Sequence, residues 1–420
     1  MADWFNAVTW SVLGALAALN LVVLLYRSRW GSRLRPWVLR ALRRVSGRDD
    51  LRWLDWQPLL AAAGIAFACV SAYGIVSGQY GCRPGGSDPI TLLNSGKAFW
   101  AGHSPFVVSQ CGHTGEIPYG FAAILLTALG SLGGMPGVYF VWGLVALSII
   151  PLSWAVAGPD RRYATVFVGT SVLFVPIVCS QIDGTTNAIV PAAVLLSLYL
   201  AQRGELLGAA IGGFLSTARF PNLLPVVGET GAFPRRRFLS AALAIGVFAG
   251  VTGLTYLWWG PQFLNTVILQ QLGRRSFSLN LYGILLLSNS LPSGLGIEAV
   301  QAALTLALLA AVFFGARTPL GAAAIVLVGF ALITPFLSFT ILIWLLPVAL
   351  LGMRAKWWLW GVALVGSFNY DLALNVWAWD DGVSWPSMVL DIVLSALLIV
   401  LFVELWRHER ASSPAGPTSS

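Results

Sequence analysis

The feature that most constrains this chain is the recurrence of apolar runs long enough to cross a bilayer. Residues 238–259, FLSAALAIGVFAGVTGLTYLWW, are one of them. A helix of about 20 residues rises about 30 Å, the thickness of the hydrocarbon core. Similar runs occupy 7–26, 58–78, 136–157, 296–315 and 387–406, and shorter ones 164–180, 187–201, 206–217, 220–232, 320–336, 338–353 and 357–371. Apolar residues make up 57% of the chain and charged residues 10%, whereas soluble domains carry roughly 25% charged residues. The pattern implies an all-α polytopic membrane protein with about 12–14 membrane helices. No separate soluble domain and no repeat of 20–50 residues stands out.

Arginines orient these segments. Residues 27–57 carry nine of them, and smaller clusters follow at Pro159-Asp160-Arg161-Arg162, Arg235-Arg236-Arg237 and Arg407-His408-Glu409-Arg410. Between apolar segments such clusters mark the cytoplasmic side, so the net charge of +8 is no sign of a nucleic-acid partner. The expected divisions are an N-terminal helix with a basic cytoplasmic loop lying on anionic headgroups (1–57), a transmembrane domain (58–406), and a polar, disordered cytoplasmic tail (407–420). The first helix has no small-residue cleavage site close behind it and is expected to be retained. The charges agree on one topology only where 117–133 forms a short or re-entrant helix. The stretch Cys82–Phe106 then faces the exterior, as do loop 260–295 and the loop holding Asp380 and Asp381.

Cys82–Phe106 reads CRPGGSDPITLLNSGKAFWAGHSPF. Asp88 before Pro89 is a good helix start, and Gly102 followed by Pro105 is a good stop. The helix between them, about 13 residues long, is too short to span but suits the interface. At helical spacing, Leu92, Leu93, Gly96, Phe99 and Trp100 share one side, and Thr91, Asn94, Ser95 and Ala98 the other. Asp88 either caps this helix or offers a carboxylate to chemistry outside the membrane. Cys82 and Cys111 bracket the helix in one compartment where a disulfide is permitted, and their bonding is expected. Cys69 and Cys179 fall in helices, as small apolar side chains.

Ionisable groups on the outer face are few, so each is informative. The carboxylates are Asp88, Glu116, Asp183, Asp371, Asp380 and Asp381, and the bases are Arg83, Lys97, His103, His113, Arg219, Arg274 and Arg275. Outer basic residues run against the positive-inside trend. They either snorkel to headgroups or meet an anionic ligand, for which a lipid phosphate is the obvious candidate. No metal-ligand spacing, Walker sequence, Gly-x-Ser-x-Gly or His-Glu-x-x-His occurs, and neither a metal nor a cofactor is expected.

The pattern Asp88 … Asn94-Ser95-Gly96-Lys97-Ala98 … Ala101-Gly102-His103-Ser104-Pro105-Phe106 resembles the first extracytoplasmic loop of the polyprenyl-phosphate-sugar-dependent glycosyltransferases of the C-type fold. It looks most like family 87, the actinobacterial α-mannosyl- and arabinofuranosyltransferases. Ile117-Pro118-Tyr119 stands where that family has a Tyr-Pro-Pro step. Gln181 through Asn187 stands at its Gly-Gln-x-Asn, with an insertion, and Thr217-Ala218-Arg219-Phe220-Pro221 at a helix ending in Lys-Pro. Ser276–Gly283 resembles its Asn-Gln-Ser-Leu-x-Gly step, and Thr334-Pro335 its Ser-Pro-x-Ser-Trp. Phe339-Thr340 replaces a His-rich step, and the N-terminal helix and arginine loop look like additions.

The resemblance implies transfer of mannose or arabinofuranose from a polyprenyl-phosphate donor to a glycan or glycolipid, with inversion. The enzyme would be a multi-pass protein of the plasma membrane, surrounded by lipid, with its site on the extracytoplasmic side. Asp88 would be the general base, since a positioned carboxylate can take the proton of a weakly nucleophilic hydroxyl. Arg219, Arg274 and Arg275 would hold the donor phosphate, whose charge grows as it leaves. Lys97, His103, His113, Tyr119, Gln181, Asp183, Asn187, Ser278 and Asn280 are the expected substrate-binding residues. Two other readings are a lipid-linked sugar transporter or flippase, and a non-catalytic relative scaffolding a cell-envelope complex.

Overall fold

Helices form where the apolar runs lie and stop at Gly, Pro or arginine. The computed structural model describes residues 36, 40, 88–110, 113–117, 119–156, 187–269, 295–334, 344–345, 347–349, 351 and 385–411. Within them run α1 (Asp88–Trp100), strands β1 (Val107–Gln110) and β2 (His113–Glu116), then α2 (Phe121–Ser131), α3 (Gly134–Val156), α4 (Ile189–Ala201) and α5 (Glu205–Ser216). A 3₁₀ turn, Phe220–Asn222, leads into α6 (Leu223–Thr230) and α7 (Arg237–Trp259). The last helices are α8 (Leu295–Gly315), α9 (Pro319–Ile333) and α10 (Trp385–Ala411). Segments 7–26, 58–78, 164–180 and 357–371 lie outside the described residues.

Among the described residues two helices are long and apolar enough to cross a membrane, Gly134–Ser153 within α3 and Arg237–Trp259, which is α7. The second rises about 34 Å. Its outward face is apolar and open, with Leu257 79% and Trp258 76% exposed. Helix α9 is the opposite case. It is buried on every face from Gly321 to Gly329, as an all-apolar central helix must be. It packs against α6, α8 and α10.

The start of α9 is tied down by the chain's far end. Glu409, 4% exposed in the last turns of α10, accepts hydrogen bonds from the backbone N–H groups of Arg317 and Thr318 and from Thr318 Oγ1 (2.7 Å for the last). Thr318 in turn caps α9 by accepting from the Gly321 N–H (3.1 Å). A carboxylate there satisfies donors that a helix start leaves open and faces the positive end of the helix dipole. Glu409→Ala strands those donors, so a loss of about 2–3 kcal/mol is expected, read as a lower thermal midpoint in detergent. The helix thus runs on to Ala411, past the domain boundary at 406 expected from the sequence.

Two further features depart from expectation. The described residues are mostly helical, as expected, but the loop after α1 adds a short β-hairpin, with Val107 opposite Glu116 and Gln110 opposite His113. Helix α1 does not divide into an apolar buried side and a polar exposed one. Thr91, Leu92, Ser95 and Gly96 are buried, whereas Trp100 is exposed and Lys97 with it. The small residues Ser95 and Gly96 let α1 lie close along α2, and Trp100 keeps its ring at the surface while its Nε1 donates to the Ala128 carbonyl (2.8 Å). Helix α2 is eleven residues long, short of a bilayer span, as residues 117–133 were expected to be.

Candidate functional site

The site is built where the chain leaves β2 and where α5 gives way to α6. After Ser216 the backbone turns extended at Arg219 and restarts as a 3₁₀ turn, with Pro221 in its first turn, where a missing N–H costs nothing. The loop ahead of α2 is stitched to this break. Gly120 N–H donates to the Ala218 carbonyl (3.0 Å) and Ala122 N–H to Thr217 Oγ1 (3.2 Å). These bonds hold Tyr119 against Arg219. The guanidinium carbon of Arg219 stands 4.6 Å from the centre of the Tyr119 ring and 5.4 Å from that of Trp344. Trp344 is itself fixed, since its Nε1 donates to Asn187 Oδ1 (3.1 Å) just ahead of α4.

Three residues expected at the site from the sequence, Tyr119, Asn187 and Arg219, therefore converge. Tyr119, Asn187 and Trp344 are buried, and Arg219 is partly buried. The two rings offer their negative faces to the cation, an attraction that strengthens as water is excluded. They do not neutralise it. Among the described residues no carboxylate pairs with Arg219, and its buried Nε has no hydrogen-bond partner. Asn222, one turn on, is wholly buried with both ends of its amide unpartnered. Buried polar groups nearly always find partners, so the open Nε of a cation held against two rings makes Arg219 a candidate contact for a ligand with acceptor oxygens.

An aromatic cluster stands beside this cradle. Phe106, at the base of the hairpin, lies 5.6 Å from the ring of Trp259 and 5.2 Å from that of Phe263. Phe121 of α2 also reaches Trp259, at 6.4 Å. Phe106 accepts from the Ile117 N–H through its carbonyl (3.0 Å), which anchors the strand leading to Tyr119.

Two other expected site residues do not join this cluster. Lys97 and His103 are exposed, on α1 and the turn after it. Asp88 is the first residue of α1 and His113 opens β2, but the side chains of both lie outside the described residues. So do Gln181, Asp183, Arg274, Arg275, Ser278, Asn280, Cys82 and Cys111. Trp344 is the residue of the cradle that sequence reasoning missed. Trp344 sits in an apolar segment where a tryptophan reads as core, and its one signal was an indole N–H that has to find an acceptor. Among the described residues no group of His, Cys, Asp or Glu could hold a metal ion. Compared with family models, curated proteins and solved structures, the chain matches none.

Proposed function

We propose that this chain is an integral-membrane glycosyltransferase that moves a sugar, mannose or arabinofuranose by resemblance, from a polyprenyl monophosphate to a hydroxyl of a glycan or glycolipid. The observation that carries the reading is Arg219, held against two aromatic rings with an open N–H and, among the described residues, no carboxylate partner. An uncompensated guanidinium there suits an oxyanion, and its planar fork matches a phosphate that becomes the leaving group. Asp88 at the head of α1 is the base in this reading, and Tyr119 and Asn187 shape the cradle.

The distribution of arginines supports an extracytoplasmic site on a multi-pass protein. Arg235, Arg236 and Arg237 lie at the start of α7, where Phe238 packs on Phe313 and Phe314 at the end of α8. Arg317 follows α8 directly, and Arg407 and Arg410 flank Glu409, which binds the turn after it. These cations thus share one end of the bundle. Arg219 belongs to the other half, where Phe220 meets Phe248 midway along α7 and Phe121 meets Trp259 at its end. By the positive-inside rule the arginine-rich end is cytoplasmic.

A transporter for a lipid-linked sugar is the second reading. What favours it is Glu229, a wholly buried acid in α6 whose Oε1 contacts Ser197 Oγ, because buried ionisable groups between membrane helices mark transport paths. Purified protein in nanodiscs, given a radiolabelled polyprenyl-phosphate sugar and a glycan acceptor, separates the two. Label is expected in the acceptor. Arg219→Gln should lower turnover by about 10²–10³-fold, the usual cost of losing one donor to a developing charge, and Arg219→Lys should restore only part of it. Label that crosses a vesicle membrane on intact donor, with none transferred, would establish the transporter instead.

A further inference from the structure

A cluster of three consecutive arginines lies at the opposite end of the bundle from Arg219. The turn between α6 and α7 is held by consecutive backbone bonds, from Ala232 N–H to Glu229, Phe233 N–H to Thr230, Arg236 N–H to Phe233 and Ser240 N–H to Arg236. It presents Arg235, Arg236 and Arg237 side by side, the first two exposed. Arg237 reaches over the neighbouring helix ends. Its guanidinium carbon is 5.4 Å from the ring centre of Phe238 and 5.7 Å from that of Phe314. The two rings are 63% and 64% exposed and lie 6.4 Å apart, in the same cluster as Phe313. Among the described residues no carboxylate pairs with any of the three arginines.

Two kinds of surface therefore meet along one line, three uncompensated cations and a pair of open aromatic rings. A free phosphate would answer only the cations, and an acyl chain only the rings. We infer that Arg235, Arg236 and Arg237, with Phe238 and Phe314, form a binding site for an anionic phospholipid, its phosphate on the arginines and its acyl chain against the rings. The arginines at the end of α10 differ. Arg407 lies 3.5 Å from the Glu404 carboxylate, a partner that Arg235, Arg236 and Arg237 lack among the described residues.

The inference rests on α7 crossing a bilayer but not on sugar transfer at Arg219. It is tested by native mass spectrometry of the full chain released from nanodiscs of equimolar phosphatidylglycerol and phosphatidylcholine. The wild-type protein should retain phosphatidylglycerol at least about fivefold over phosphatidylcholine, since one arginine near an anionic surface contributes about that factor. Replacing all three by glutamine should abolish the enrichment. That variant risks inverted insertion, so Phe238→Ala with Phe314→Ala is the second arm. It leaves every charge in place and should still lower the enrichment at least twofold, while Arg407→Gln with Arg410→Gln should leave it unchanged. Millimolar inorganic phosphate should not displace the lipid.

No enrichment in the wild type overturns the inference. So does enrichment insensitive to the phenylalanines, lost equally with Arg407 and Arg410, or displaced by inorganic phosphate. Protein that turns over a sugar donor but shows no lipid preference leaves the proposed function standing. Protein that fails to enter nanodiscs at all removes the membrane reading on which both depend.

Discussion

Asp88→Asn is expected to lower sugar transfer by about 10²–10⁴-fold while donor lipid still binds, because a general base contributes about that much and the amide cannot accept the proton. The structure makes the substitution a clean one. Asp88 is the first residue of α1, followed by Pro89, and Asn there keeps the shape and much of the hydrogen-bonding capacity of Asp. Only a small charge–dipole interaction is lost, so α1 should keep its place against α2. Turnover near the wild-type level in a folded Asp88→Asn protein would leave Asp88 as a cap alone, with Asp183 the next carboxylate to test. The readout is label transferred per minute at saturating donor, alongside the thermal midpoint of the same sample.

Gly120→Ala should have the largest effect on the fold around the cradle. A Cβ at this position would lie 1.8 Å from the carbonyl oxygen of Thr217 and 3.0 Å from its carbon. Neither atom belongs to a flexible side chain, so the two backbones have to separate. That breaks the bond from Gly120 N–H to Ala218 and draws Tyr119 off Arg219. Overpacking of this kind costs about 3 kcal/mol or more. The expected result is a collapsed yield of monodisperse protein, or a folded remnant with neither donor affinity nor turnover. Gly250→Ala is the control. Its Cβ would meet nothing within 4 Å on the open face of α7, and alanine is the better helix former, so stability should hold or rise slightly.

Much of the helical plan is legible in the chain because apolar length and punctuation act locally. The runs 187–201, 206–217, 238–259 and 296–315 became α4, α5, α7 and α8 with shifts of one or two residues, since Gly204, Arg237 and Gly315 interrupt the pattern where the helices do. The cradle was legible in part for a different reason. Tyr119, Asn187 and Arg219 are polar or aromatic residues at the ends of apolar segments, and segment ends on one side of a bundle tend to meet. Trp344 was hidden because its hydrogen bond to Asn187 spans 157 residues, a distance no local pattern encodes. The face of α1 was misread because hydrophobicity was the only guide. Ser95, read on the polar side, is buried for its small size, which close helix packing requires, not for any aversion to water. The hairpin was missed because four-residue strands are too short to establish an alternation, and Glu409 because a charge among arginines reads as solvated until its backbone donors are seen.

Phe106 has a consequence for how substrates reach the cradle. None of its surface is exposed, and it is gripped by Trp259 and Phe263 at the end of α7. For α1 and the hairpin to swing open as a lid, that ring would have to be drawn out of its socket. Exposing a phenylalanine costs about 1.5–3 kcal/mol, so an open lid would be populated at about 7% down to below about 1%. The wall formed by α1 and the hairpin is thus a stationary jaw, and whatever enters the cradle has to feed past it like thread past a fixed guide.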